Sequence, residues 1–581
     1  MSFMPPVTEQ RFVLEHIAGI ARLAESERFA DASGDMVDAI LEGAAQLAAG
    51  EWAPLNRLGD TEGAKLTDKG VVMPEGYIEA YRAYVDGGWG TIAAPVEFGG
   101  QGMPFTMAIA IMESLGSANM AFALCPILSV GSIESLVHHG SEELQKAYLP
   151  KLSSGEWTGT MNLTEPQAGS DVGALKTKAE PAEDGSWRIK GQKIFITFGE
   201  HDLVSNIVHL VLARTPGAPE GTKGISLFLV PRYRLDENGE SGEENDARCV
   251  SLEHKLGINV SPTCVMSYGD NDDCHGWLIG PENGGIRAMF TMMNNARLNV
   301  GLQGVQIGER ATQQAVSFAR ERVQSARADG NSREPVAIIE HPDVRRMLLR
   351  MKASTMAARA LVYYAAGQVD AATLGDEEAK ARSEVLTPLA KAYGTDIGCE
   401  VASLGVQVHG GMGFIEETGA AQHYRDARIA PIYEGTNGIQ AADLVGRKLR
   451  LGGGAAMASL LSEISERAVG EPTLAALASD CEAVVNWLSS GDADIDDQLA
   501  ASYPFLTMLS VATCGWLMAR QLRVAQAQLD TGEGDSEFLK MKIAAARFYL
   551  DQMVPEARGL KAAATAKADI LYSIADETFA A

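Results

Sequence analysis

Hydrophobic positions change their spacing twice along this chain, near residues 155 and 284. From Phe12 to about Pro150 the spacing is mostly helical. Within residues 36–49, Val37, Ile40, Leu41, Ala44 and Leu47 fall three and four apart, giving one apolar stripe for a core. Turns such as Glu97-Phe98-Gly99-Gly100-Gln101-Gly102 interrupt this part. After Gly155, β-branched and aromatic runs take over at 187–190, 193–197, 204–213 and 225–231. Glu183-Asp184-Gly185-Ser186 and Thr222-Lys223-Gly224 separate some of them, which predicts an antiparallel β-domain ending near Gly280. Helical spacing resumes at about Gly284, over 286–325, 344–369, 378–407 and 438–451. Such lengths with short connections predict an antiparallel helical bundle. Gly452-Gly453-Gly454 mark a linker, and 457–574 is helical again. The pattern predicts a mainly helical α+β protein in four parts: 1–154, 155–282, 283–452 and a C-terminal extension, 453–581.

Composition narrows the partners. The 581 residues carry 76 acidic and 49 basic side chains, a formal charge of -27. Phosphate backbones would repel such a chain, which argues against nucleic acid, and a polybasic route to membranes is equally disfavoured. A soluble partner of complementary charge suits it better. The seven cysteines include no C-x-x-C pair, which favours reduced thiols and a cytoplasmic location. The N-terminal sequence MSFMPPVTEQRFVLEHIAG lacks the basic and apolar regions of a secretory signal. Two uncharged stretches, 114–133 and 498–519, are long enough to span a bilayer. Both are diluted by Ser, Thr, Gly, Asn or Pro and read as buried helices, so no stable membrane insertion is expected.

No Rossmann, P-loop, zinc-protease or nucleophile-elbow sequence is present. Three turn-rich segments stand out instead. One is Met161-Asn162-Leu163-Thr164-Glu165-Pro166-Gln167-Ala168-Gly169-Ser170-Asp171. The second is Gln407-Val408-His409-Gly410-Gly411-Met412-Gly413-Phe414, and the third is Tyr433-Glu434-Gly435-Thr436-Asn437-Gly438. Each offers small residues and backbone amides beside a helix end or strand, which suits a phosphate or a polar ring edge. Alone, each also reads as an ordinary loop or cap.

In their order and spacing, the three segments resemble the acyl-CoA dehydrogenase family over residues 10–450. That resemblance implies a middle domain of β-barrel-like form, a C-terminal four-helix bundle, and FAD as cofactor. Met161 and Asn162 begin the flavin-contacting strand, with Leu163 and Thr164 against the ring and Phe195 and Thr197 beside it. Gln407, Gly410 and Gly411 match the segment that holds the adenosine diphosphate end of FAD, bound mainly to the neighbouring subunit. Thr436 matches a pyrophosphate contact. Ser170 falls where coenzyme A is met, and Arg297, in Asn294-Asn295-Ala296-Arg297, matches an arginine lining the substrate site. Glu434 falls on the catalytic carboxylate, the base that takes the substrate's α-proton. The thioester oxygen is stabilised in this family by a backbone amide and a flavin hydroxyl, and a carboxylate in a dry pocket makes a stronger base.

Arg322 carries over as a cofactor contact. The family's following Thr-Phe-Gly is here Val323-Gln324-Ser325-Ala326, with a polar insertion through Ser332. The region after Leu451 resembles that of an extended bacterial subgroup that includes 3-(methylthio)propanoyl-CoA dehydrogenases. This implies a homodimer, a short acyl-CoA substrate such as 3-(methylthio)propanoyl-CoA, and an electron-transfer flavoprotein as acceptor. An acyl-CoA oxidase, a membrane-associated long-chain enzyme and a DNA-associated non-catalytic relative remain as alternatives.

Overall fold

The computed structural model describes residues 3–581. The side chains of residues 291–294, including Asn294 of the Arg297 stretch, lie outside the description. The chain forms two compact units. One comprises 28–299 with the segment up to Val7, the other 8–27 with 300–581.

In the first unit the 114–133 stretch falls on two helices, α1 (Phe105–Ala118) and α2 (Met120–His139). Asn119 separates them and caps α2, its side chain accepting the Phe122 N–H at 3.2 Å. By length and composition α2 could cross a membrane, but 83% of its apolar window is buried in the protein. The N-terminal part also contains a small antiparallel hairpin, Lys65–Thr67 with Gly70–Val72, that the helical spacing does not announce.

Eight strands build the main sheet: β1 (Thr158–Asn162), β2 (Lys178–Pro181), β3 (Trp187–Thr197), β4 (Ile207–Ala213), β5 (Ser226–Pro231), β6 (Ala247–Leu252), β7 (Thr263–Tyr268) and β8 (His275–Ile279). Their order is β6-β7-β3-β8-β5-β4-β1, with β2 also on β3. Two expectations are corrected here. The sheet is mixed, because β1 pairs with β4 in parallel; β2 and β3 lie between them in sequence, supplying the long crossover that parallel pairing needs. The strand path is open, with no closed barrel among the described residues. The runs 187–190 and 193–197 are moreover one strand. Gly191 marks a close approach within it, since a Cβ there would lie 2.4 Å from the Thr177 hydroxyl.

Strands β4 and β5 are buried at every residue. Leu210 and Leu212 enter one core, with Leu227 and Leu229, while Val211 and Ala213 enter the other, with Phe228 and Val230. Covering both faces in this way explains why their sequence is continuously apolar.

The second unit is helical. Its main elements are α3 (Gly285–Glu321, belonging here from Val300 onward), α4 (Pro342–Thr373), α5 (Glu377–His409) and α6 (Asn437–Gly446). Glycines let α3 and α5 cross at backbone distance: a Cβ on Gly304 would lie 1.8 Å from the Gly394 carbonyl. In the extension, α7 (Ile495–Thr531) contains the 498–519 stretch and packs on α4, α5 and α6, while α8 (Ser536–Phe548) packs on α7 and α4. Phe505, Leu506, Leu509 and Leu517 are fully buried. The extension is thus part of the bundle's own core. Buried ions tie it further: Lys542 of α8 bonds Glu9 at 2.7 Å, and Glu9 lies 3.6 Å from Arg359 of α4.

Candidate active site

In the sheet unit, the predicted flavin residues gather where β1 ends and β3 bulges. Met161 is buried at the end of β1, and Leu163 and Thr164 are half-buried as the chain leaves it. The Ile194 amide donates to the Thr164 carbonyl at 2.9 Å, joining this turn to β3. Opposite β7 the register slips: Met266 pairs with Lys193 and Cys264 with Ile196, so two residues of β3 face one of β7. Phe195 occupies that bulge with φ 59 and is 57% exposed, on a strand whose neighbouring Ile196 is buried. The bulge aims Phe195 outward. Thr197 follows, half-buried and paired with Thr263.

A buried ion pair holds these segments together. Lys193, with its side chain wholly buried, donates to the Leu163 carbonyl at 3.0 Å and to Glu165 at 2.8 Å. Glu165 also accepts the Thr177 hydroxyl at 2.6 Å and the Lys176 and Thr177 amides at 2.7 and 3.0 Å. Burial alone would raise the Glu165 carboxyl, but the Lys193 charge and these donors outweigh it and take it to about 2. Burial also pulls the Lys193 ammonium down to about 8 against the attraction of Glu165. Neither residue is marked as functional by its place in the sequence. A signal existed: Lys193 continues the inward row of Ile189 and Gly191, and an inward lysine needs a partner. Ser170 is exposed on the loop beyond this pair. Arg297 is buried on α3, with its guanidinium 6.0 Å from the Phe290 ring centroid.

In the helical unit, Glu434 occupies a tight turn before α6. It has φ 55 and Gly435 has φ 85, so two successive residues are left-handed. Only the glycine adopts this without strain; for Glu434 it costs on the order of 1–2 kcal/mol. Thr436 caps α6, its hydroxyl accepting the Ile439 N–H at 3.2 Å. Asn437, the buried first residue of α6, clamps the turn onto α5. Its amide donates to the Ala392 carbonyl at 3.1 Å, Thr395 at 3.0 Å and Asp396 at 2.8 Å, and its oxygen accepts from Lys391 at 2.8 Å. The Tyr433 hydroxyl bonds Gln303 of α3. Asn437 too carries no local sign of this role in the sequence.

The remaining predicted residues lie at another end of this unit. Gln407 is exposed in the last turn of α5, and Gly410, at φ 60, terminates that helix. A Cβ at Gly410 or Gly411 would meet open space. The His409 ring stacks on Phe318 of α3 at 4.5 Å, bringing the ends of α3 and α5 together, and Arg322 is exposed just past the α3 terminus. The polar insertion closes as a small loop, with Gln324 and Ser325 bonded to Val336 and Ile338 bonded back to Arg322. Within this unit, then, Arg322 joins Gln407, Gly410 and Gly411. Glu434 and Thr436 stand apart, beside Asp396, about 20 Å along α5 at a rise of about 1.5 Å per residue.

An outward aromatic beside a threonine hydroxyl suits a flat ring. A glycine turn with open space and a capped helix N-terminus suit phosphates. Each of these features is of a kind that a part of a flavin cofactor needs. Residues 37–156, 160–270 and 283–449 match the N-terminal, middle and C-terminal domains of acyl-CoA dehydrogenase, and 460–575 match a domain described as acetyl-CoA dehydrogenase C-terminal like. The chain belongs to the acyl-CoA dehydrogenase family, FAD-dependent oxidoreductases of acyl-CoA thioesters. It is 47% identical over 572 residues to 3-methylmercaptopropionyl-CoA dehydrogenase of Ruegeria pomeroyi, covering 96% of this chain and 97% of that one. It is 36% identical over 596 residues to a butyryl-CoA dehydrogenase of Syntrophomonas wolfei, covering 96% and 97%. In fold it resembles a Bacillus anthracis acyl-CoA dehydrogenase complexed with FAD, with a TM-score of 0.74, 22% identity, and 93% and 90% of the two chains covered.

Proposed function

We propose that this chain oxidises a short acyl-CoA to the trans-2-enoyl-CoA, with 3-(methylthio)propanoyl-CoA as its substrate and Glu434 as the base. The observation that carries the reading is the Glu434 turn, where a left-handed backbone carrying a carboxylate is held by the buried hydrogen bonds of Asn437. Strain of this kind persists when the surroundings over-determine it and the position serves chemistry. The substrate rests on the 47% identity to the Ruegeria enzyme over nearly the whole of both chains.

In the reaction the Glu434 carboxylate accepts the α-proton, and the electron pair left at Cα forms the double bond as a hydride departs from Cβ. FAD, when bound, supplies the acceptor for that hydride. The chain's own work is alignment. Within the sheet unit, Phe195, Thr197, Leu163 and Thr164 offer a face to a flat ring; within the helical unit, Thr436 with the α6 amides supplies donors for a pyrophosphate. Ser170 and Arg297 serve the substrate. Arg322, Gln407, Gly410 and Gly411, about 20 Å along α5 from the Glu434 turn, serve the adenosine end of a second subunit's cofactor. That division supports a homodimer. The -27 charge suits an electron-transfer flavoprotein that presents a basic face, in the cytoplasm.

The test is anaerobic flavin bleaching by a panel of acyl-CoAs. The wild type is expected to bleach fastest with short and methylthio thioesters, and Glu434→Gln to lose at least about 10³-fold in rate with its flavin retained. Equal bleaching by the variant would remove Glu434 from the chemistry. Rapid oxygen uptake with substrate alone would replace the dehydrogenase by an oxidase.

A further inference from the structure

We propose that Tyr503, on α7 of the C-terminal extension, is a positioning residue for Glu434, acting through Asp396 and Asn437. The inference rests on the assignment of Glu434 as the base.

The chain of contacts is short. The Tyr503 hydroxyl donates to one oxygen of Asp396 at 2.7 Å, and the Asn437 amide donates to the other at 2.8 Å. A carboxylate is rigid and planar, so fixing one oxygen fixes the direction in which the other accepts. Asn437 opens α6 three residues after Glu434, and the Asn437 N–H closes the turn by donating to the Pro431 carbonyl at 3.0 Å. Any rotation of the Asp396 carboxylate therefore reaches the Glu434 turn through one side chain. Burial raises the Asp396 carboxyl, opposed by the Tyr503 and Asn437 hydrogen bonds and by the charges of Lys391 and Arg428. Without the Tyr503 hydroxyl, this carboxylate is left short of a donor in a poorly solvated place.

Packing does not require that hydroxyl. Tyr503 is 37% exposed, whereas Phe505, Leu506 and Leu509 carry the contact of α7 with its neighbours and are fully buried. The ring stays on the surface while its polar tip reaches inward to Asp396. The extension thus contributes a hydrogen-bond donor to the support of the base as well as apolar area to the bundle.

The experiment uses the full-length flavin-loaded protein as wild type, Tyr503→Phe, Asp396→Asn and the double variant. Solvent-deuterium exchange at the α-carbon is measured on an acyl-CoA with no hydrogen at its β-position, which reports on the base without hydride transfer. Turnover, KM, flavin content and melting are followed in parallel. Tyr503→Phe is expected to slow exchange and kcat together by about 5- to 20-fold, as for a displaced base, with KM and flavin content nearly unchanged. The double variant should be no slower than Asp396→Asn alone, because both act through one path. Exchange and kcat near wild type in Tyr503→Phe, or a loss that follows KM, flavin release or melting, overturns the proposal. A wild type that exchanges no deuterium overturns the assignment of Glu434 itself and this inference with it.

Discussion

Each unit of the molecule holds a strained, non-glycine residue among its own predicted site residues. Phe195 in the sheet unit has φ 59, and Glu434 in the helical unit has φ 55. What holds them differs. Phe195 stands in a bulge two residues beyond Lys193, whose buried ammonium bridges the Leu163 carbonyl and the Glu165 carboxylate. Glu434 stands three residues before Asn437, whose neutral amide is caught between Lys391 and Asp396. A full ion pair in a dry place is costly to desolvate and still more costly to halve. An amide between two charged partners is less costly to disturb, but it adjoins the group that must be aimed to a fraction of an ångström. Damage to the first support should therefore appear as lost stability, and damage to the second as lost rate.

The largest effect that separates them is expected from Lys193→Met. It leaves Glu165 buried without its cation and should destabilise the sheet unit by about 3–5 kcal/mol. Flavin release during urea unfolding would show it. Adding Glu165→Gln should recover part of the loss, since no unpaired charge then remains. If Lys193→Met releases flavin at the wild-type urea concentration, the ion pair is not what holds the bulge.

Next in size is Asn437→Ala. It removes hydrogen bonds to charged partners worth about 1.5–3 kcal/mol each at most, and Lys391 and Asp396 can partly compensate by approaching one another. Stability should fall by about 2 kcal/mol, whereas kcat should fall by about 10- to 100-fold with KM little changed. A variant that loses KM and stability but keeps its kcat would erase the contrast between the two supports.

These supports also mark how far the sequence could be read. The three turn-rich segments and the long helices are local patterns, and 344–369 and 378–407 lie within α4 and α5 as found. Glu165 and Asn437 were visible inside two of those segments, but their partners are not local. Lys193 lies 28 residues from Glu165, and Lys391 lies 46 from Asn437. Nor does alternation along one strand reveal its neighbour, so the parallel pairing of β1 with β4 was missed. The Phe195 bulge arises from a slip against β7, which no residue of β3 announces by itself. Conversely, the uncharged 498–519 stretch showed that its helix is buried without showing that it lies against α6.

Acid should separate the units by a smaller margin. Burial, with a smaller push from Arg232, takes His201 and His209 of the sheet unit down to about 3. In the helical unit, burial and then Arg310 take His423 to about 3. A histidine whose folded value is depressed stays neutral while its unfolded counterpart takes up a proton below about 6.5, so its contribution is lost as pH falls from there toward 3. Glu165, also depressed, adds a loss in the sheet unit as pH falls below the ordinary carboxylate value toward about 2. With two strongly depressed histidines and Glu165 against one such histidine, the sheet unit should be the first to weaken as pH falls to 5. Limited proteolysis at pH 5 should therefore cut first within 28–299; first cuts in the helical unit would reverse the ranking.

The smallest effect tests what the two units share. At an ordinary position Gly is less stable than Ala by about 0.5–1 kcal/mol, because it has more freedom to lose on folding. At a left-handed position the order should invert, since Ala retains a strain of about 1–2 kcal/mol that Gly lacks. Phe195→Gly should thus match or exceed Phe195→Ala by up to about 1 kcal/mol, and Glu434→Gly should do the same relative to Glu434→Ala. Both comparisons are made by thermal unfolding without cofactor, so lost flavin contacts do not enter. Inversion at both positions would show that each support holds real backbone strain. Inversion at Glu434 alone would mean that the bulge itself, and not the Lys193–Glu165 pair, accommodates Phe195, leaving the helical clamp as the one support that works against strain.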